Sequence, residues 1–201
     1  PYVGNLENEN IIKELLSDNK ILLDKDNIKV EKFSELKMLI EKIALKLTEG
    51  SVVGCFNGQM EFGPRALGNR SILADPRNKN MKDILNYKIK RREGFRPFAP
   101  SILEEEVDNW FDIKDHVPYM SKVYNFKKNK TGLVPAVVHV DGSGRLQTVS
   151  ENENMFYFKL INEFFKKTGI PILLNTSFNE NEPIVLTPQQ AISTFLRTKI
   201  D

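Results

Sequence analysis

Residues 51–77 read SVVGCFNGQMEFGPRALGNRSILADPR, and the change of texture inside this stretch decides the class of fold. SVVGCF is a short apolar run of strand-favouring residues, followed at once by a Gly-rich string from Asn57 to Arg70, so a strand feeds a loop. Upstream, residues 7–49 carry helical spacing. Ile11, Ile12, Leu15 and Leu16 make one core-facing stripe; Leu36, Leu39, Ile40, Ile43 and Leu47 make a second, with Gly50 as its stop. Eight lysines and ten acids in the same segment predict a solvated outer surface. Downstream, a helix is expected over Asn78–Lys88 with Asn78 as its cap, and a short acidic helix over Leu103–Phe111. Strands are expected at Tyr119–Phe126, Ala136–Val140 and Ile170–Leu174, with a turn at Asp141-Gly142-Ser143-Gly144. Phe156, Leu160, Ile161, Phe164 and Phe165 predict an apolar helix ending at Gly169, and Thr187-Pro188-Gln189-Gln190 opens a last one. Strands alternating with helices predict an α/β sheet with helices packed on it.

The 201 residues, 40% apolar and 28% charged, suit one globular domain that needs neither disulfides nor a structural metal. With 29 basic against 27 acidic side chains the net charge is +2, too balanced for a polybasic tail protein, so any phosphate chemistry must be local. The lone Cys55 cannot form an internal bridge and suits a reducing compartment. No apolar run is long enough to span a membrane and no signal peptide is recognisable, so a cytoplasmic location is expected. Opening on Pro1, the chain reads as processed or as a piece of a longer polypeptide.

The balance hides an asymmetry. Ten basic residues lie between Arg65 and Arg96 against three acids, a local net of +7. A solvated face is the plain reading, but GPRALGNRSIL and GFRPFAP interleave arginine with glycine, proline and apolar residues. That texture suits guanidinium groups held at the edge of a core, where they grip phosphate or carboxylate through paired donors. Gly63 and Gly68 have the spacing of a Walker loop, yet Asn69 and Arg70 follow and Pro64 removes a backbone donor, so the string is not one; no GxGxxG appears either. Taken alone, the glycines read as tight turns. Asn175-Thr176-Ser177-Phe178-Asn179 follows the apolar Ile172-Leu173-Leu174 and is expected just past the carboxyl end of a strand, where open α/β sheets bind ligands. By itself it reads as an ordinary turn. His116 and His139 lack ligand spacing and read as ordinary hydrogen-bonded histidines; Cys55 reads as a buried, inert thiol, and Glu104–Glu106 as a helix start. No metal site is expected.

Taken together, GQMEFGPRALGNRSILADPR, LNYKIKRREGFRPFAPSILEE, PAVVHVDGSGRLQTV and LLNTSFNENEPIVLTPQQA resemble the C-terminal domain of the O-carbamoyltransferases of the nodulation-protein and antibiotic-biosynthesis type. The blocks run in family order from about Gly54 to Ala191; Ser143 stands where the family pattern has Thr. The resemblance implies a YrdC-like fold, a twisted open α/β sheet around a basic central cavity, with residues 1–201 as one such domain carrying a helical arm over about 1–49. It also implies a preceding actin-like domain in the same polypeptide, where an acceptor hydroxyl is carbamoylated. ATP, with Mg2+, and carbamoyl phosphate are the implied substrates, and carbamoyladenylate the product of this part. By position in the matching strings, Lys90, Arg96, Arg65 and Arg145 are the implied catalytic residues. Lys90 and Arg96 would hold phosphates and the carbamoyl group, while Arg65 and Arg145 neutralise charge. Ser177 and Asn179, with Asn175 in support, would orient the nucleotide or carbamoyl unit.

Two other readings are carried beside this one. An RNA-binding YrdC-like domain predicts an exposed positive stripe, against which stands the scarcity of aromatic residues near the arginines beyond Phe95 and Phe98. An inactive structural domain predicts that the arginines point outward or pair with acids such as Glu61 and Glu93.

Overall fold

A computed structural model describes residues 2, 9–19, 28–198 and 200–201. Pro1 and the parts of the expected helical arm at residues 3–8 and 20–27 lie outside the described residues. Five strands form one mixed, twisted sheet: β1 (Val53–Phe56), β2 (Arg70–Ala74), β3 (Ala99–Leu103), β6 (Gln147–Val149) and β7 (Ile172–Ser177). The spatial order is β1-β2-β7-β3-β6, antiparallel throughout except for the parallel β3–β6 pair. A separate ribbon pairs β4 (Val123–Asn125) with β5 (Ser143–Arg145). The expected α/β architecture of an open sheet with helices on it is therefore present.

Helix α1 spans Glu9–Asp18 and α2 spans Leu36–Thr48. In α2 the stripe buries Ile40, Ala44 and Leu47, whereas in α1 both Ile11 and Ile12 stay more than a third exposed and are not core residues. Helix α2 packs along α5 (Met155–Thr168), which lies on β3 and β7. The reason α5 forms there is local and legible. The Asn154 side chain accepts from the Tyr157 N–H at its start, Tyr157, Leu160, Ile161 and Phe164 are buried, and Gly169 closes the last turn at φ 72°. Gly68 is required for a different reason: at φ 118°, a Cβ there would meet the Tyr157 ring at 2.5 Å. Helix α6 (Pro188–Arg197) starts with the expected Thr187–Gln190 capping box.

Five expected elements are corrected. The Asn78–Lys88 helix is a single α-turn, α3 (Met81–Ile84), running into a π-helix over Leu85–Lys90, and Asn78 forms a local turn with the Asn80 N–H rather than a cap. Ala136–Val140 is a succession of turns, because the Ala136 and Val137 N–H groups are taken by Pro76 and Val134; Val137 is nonetheless core. The strand expected over Tyr119–Phe126 is confined to Val123–Asn125, and its partner Ser143–Arg145 takes residues assigned to the turn. Finally, the strand expected to stop at Leu174 runs on through Ser177. The short acidic helix is a 3-10 turn, Glu104–Glu106, leading into α4 (Val107–Trp110). No helix among the described residues is long and apolar enough to cross a membrane.

Candidate functional site

The loop from Asn57 to Asn69 is held from inside by two buried charges. One Glu61 carboxylate oxygen accepts from the backbone N–H groups of Leu67, Asn69 and Arg70 at 2.8, 2.7 and 3.2 Å. The Arg70 guanidinium donates to the carbonyls of Asn57, Gly58 and Asn69 and lies 3.6 Å over the Phe56 ring. Together they fold the loop so that Pro64, Arg65 and Ala66 wall a hollow. The opposite wall is Arg92, Pro97, Phe98 and Ala99, with Arg92 fixed by a 2.7 Å bond to Asn86 Oδ1 and lying over Phe98. Arg145 from β5 and Asn175, Thr176 and Ser177 from β7 complete the lining. Thr176 and Ser177 are half-buried and Asn175 is buried within the strand itself, so the polar cluster is not a loop beyond it. An outer opening shares Arg65, Arg92, Pro97, Phe98 and Arg145 and adds Arg96, Val123 and His139.

The arginines crowd one another. Burial first, and then the charges of Arg65 and Arg92, lower the Arg145 pKa; burial and the Arg96 charge do the same to Arg92. Other cations of the basic stretch are neutralised: Arg77 by Asp75, Arg91 by Glu180 and Arg96 by Glu93. Among the described residues Arg65, Arg92 and Arg145 have no such ion pair. Guanidinium groups keep their charge under these conditions, so the inner hollow is a fixed concentration of positive charge that an anion would relieve.

Of the residues picked out in the sequence, Arg65, Arg145, Asn175 and Ser177 line the inner hollow and Arg96 the outer opening. Lys90 and Asn179 stand apart from both linings. The Lys90 ammonium is buried behind β7, within 2.6–3.2 Å of four oxygens, the carbonyls and side chains of Ser177 and Asn179. In this structure it anchors the end of the strand through Ser177, which lines the hollow, and Asn179, which does not. Arg92 was within the basic stretch but not singled out; His139, read as an ordinary histidine, borders the outer opening and meets Ser143 Oγ at 3.0 Å. Glu61 does not pair with an arginine of the hollow, although Arg96 does pair with Glu93. His116 sits between Glu104 and Glu153, and Cys55 is buried with its thiol pushed up to about 12 by desolvation. Among the described residues no three His, Cys, Asp or Glu side chains cluster as a metal site.

A family profile described as "Carbamoyltransferase C-terminus" matches residues 44–201. The chain belongs to the carbamoyltransferase C-terminal family. It is 54% identical over 159 residues to nodulation protein NolNO of Sinorhizobium fredii, covering 77% of this chain and 23% of that protein. It is 51% identical over 159 residues to nodulation protein NolO of Bradyrhizobium diazoefficiens, covering 77% and 29%. It is 41% identical over 203 residues to an uncharacterised protein of Methanocaldococcus jannaschii, covering all of this chain and 32% of that protein. The family member described here thus spans less than a third of these relatives. Its fold is similar to part of full-length HypF, solved in the phosphate- and nucleotide-bound form, with TM-score 0.53 and 17% identity over 83% of this chain and 20% of that one.

Proposed function

We propose that this domain activates carbamoyl phosphate with ATP, as the C-terminal part of a longer carbamoyltransferase. Water hydrolyses carbamoyl phosphate to carbamate and inorganic phosphate, and a carbamate oxygen then attacks the α-phosphorus of ATP. The α–β bridging P–O bond breaks, pyrophosphate leaves, and carbamoyladenylate remains. Transfer to an acceptor hydroxyl then belongs to an actin-like domain earlier in the polypeptide.

The observation that carries this reading is the inner hollow, where Arg65, Arg92 and Arg145 face one space without carboxylate partners. Every reacting species is an anion, and charge builds at phosphorus as the new bond forms. Preoriented guanidinium donors stabilise that build-up without having to reorganise. Arg65 and Arg145 neutralise the reacting α-phosphate, and Arg96, at the outer opening, exchanges its exposed Glu93 partner for the departing pyrophosphate. To orient a phosphate oxygen the Ser177 hydroxyl would turn its one proton from Asn179 Oδ1 to the ligand, while Lys90 goes on donating to it. The described residues provide no carboxylate cage, so Mg2+ would arrive on the triphosphate, shielding its charge.

The decisive experiment is carbamoyl-phosphate-dependent exchange of labelled pyrophosphate into ATP. Arg145→Ala should lower exchange on the order of 100-fold, while thermal unfolding holds, because the change relieves repulsion with Arg65 and Arg92. Undiminished exchange in Arg145→Ala would refute the reading.

A further inference from the structure

Within the inner hollow, Asn175 is the side chain whose donor and acceptor ends are assigned by its surroundings. The assignment begins at Gln147, whose Nε2 lies 3.0 Å from the Leu67 carbonyl. A carbonyl only accepts, so the amide nitrogen of Gln147 must face it and Oε1 must face the other way. That Oε1 accepts from Ser101 Oγ at 2.6 Å and from Asn175 Nδ2 at 3.0 Å. Asn175 Nδ2 also lies 3.2 Å from the Ala66 carbonyl, a second pure acceptor. The nitrogen end of Asn175 is therefore committed to the protein. Its Oδ1 is buried with no hydrogen-bond partner, on a side chain that is 1% exposed.

A buried acceptor left unpaired is destabilising and calls for a donor. None of the donors that line the hollow bonds to it, neither the Arg65, Arg92 and Arg145 guanidinium groups nor the Thr176 and Ser177 hydroxyls, and Arg145 Nε is itself buried and unpartnered. The lining thus asks for a ligand that is an anion or carbonyl on one side and an N–H donor on another. Phosphate groups supply only the first property. A carbamoyl unit supplies both.

We propose that Asn175 Oδ1 accepts a hydrogen bond from the amino group of the carbamoyl unit, with Arg145 donating to that unit's oxygen, so that Asn175 selects carbamoyl over acyl groups lacking N–H. This rests on the carbamoyl-activating reading above and names the group that one residue recognises. Selection of this kind works through the penalty on the wrong ligand: a methyl group placed against Oδ1 leaves the acceptor unpaired.

The test is calorimetric titration of the chain with carbamoyl phosphate and with acetyl phosphate, which carries methyl in place of the amino group. Both titrations are run with the α,β-methylene analogue of ATP present, which cannot be split at the α-phosphorus. The unaltered chain should bind carbamoyl phosphate at least about tenfold more tightly than acetyl phosphate. In Asn175→Ala that ratio should fall towards one. Equal affinities in the unaltered chain overturn the proposal without any variant, so it stays testable even if Asn175→Ala, lying mid-sheet, does not fold. A ratio retained in Asn175→Ala alongside weakened analogue binding assigns Oδ1 to the nucleotide and also overturns it. Failure of the unaltered chain to bind carbamoyl phosphate at all would remove the carbamoyl-activating reading as well, which separates the two failures.

Discussion

Lys90 shows how one buried charge ties stability to pH. Burial and the nearby Arg92 lower its amine to about 7, against roughly 10.4 in an unfolded chain. Between those values the unfolded chain holds a proton that the folded chain has released. Stability from this group therefore rises with pH across about 7 to 10, by at most about 1.4 kcal/mol per pH unit, and the full penalty applies below pH 7. Urea unfolding from pH 7 to 9.5 should show the native chain gaining on Lys90→Met as pH rises; curves that stay parallel would contradict the lowered value. Glu61 permits a second prediction at this scale. Removing its carboxylate leaves the Leu67, Asn69 and Arg70 N–H groups without their acceptor, so Glu61→Ala should cost at least about 3 kcal/mol in denaturant unfolding. Glu61→Gln keeps an acceptor oxygen and should cost distinctly less.

At the scale of the element, α6 rests on a reciprocal cap, with Gln190 N–H donating to Thr187 Oγ1 and the Thr187 N–H to Gln190 Oε1. Thr187→Ala should lower stability by about 1 kcal/mol, measured by denaturant midpoint with unchanged slope. That cap, the Gly169 stop and the apolar face of α5 were all legible in the sequence, because each is set by residues within a few positions of one another. What was not legible was set by distant partners. Ser177 belongs to a strand because Ser71 pairs with it across the sheet, and nothing near Ser177 announces that. Val137 and Val138 look like a strand in composition, yet the Val137 N–H is claimed by the Val134 carbonyl in a turn and the Ala136 N–H by the distant Pro76 carbonyl. The π-helix over Leu85–Lys90 alters the phase of the side chains that follow, sending Lys90 into the interior and Arg92 to the hollow. Identifying four of the hollow's lining residues was possible because they sit in strings with a family resemblance; that Arg92 lines the hollow while Lys90 lies behind β7 needed the three-dimensional path.

For the whole molecule, the net charge of +2 gives little long-range attraction, so on the proposed reading anion binding would draw on the local field of the arginine hollow. ATP affinity, followed by calorimetry, should fall several-fold between about 0.05 and 0.5 M salt as exposed groups such as Arg96 are screened. A salt-independent affinity would place the phosphates away from the outer opening.

The strand order has a consequence for how such a domain is made. β7, near the carboxyl end, is the central strand, seated between β2 and β3, which precede it by about seventy to a hundred positions. Until Ile172–Ser177 has been synthesised, β2 and β3 lack the strand that joins them and the sheet cannot be completed. The same strand that joins the two flanks also delivers Asn175 and Ser177. A half-made chain can therefore present neither a finished sheet nor a finished pocket.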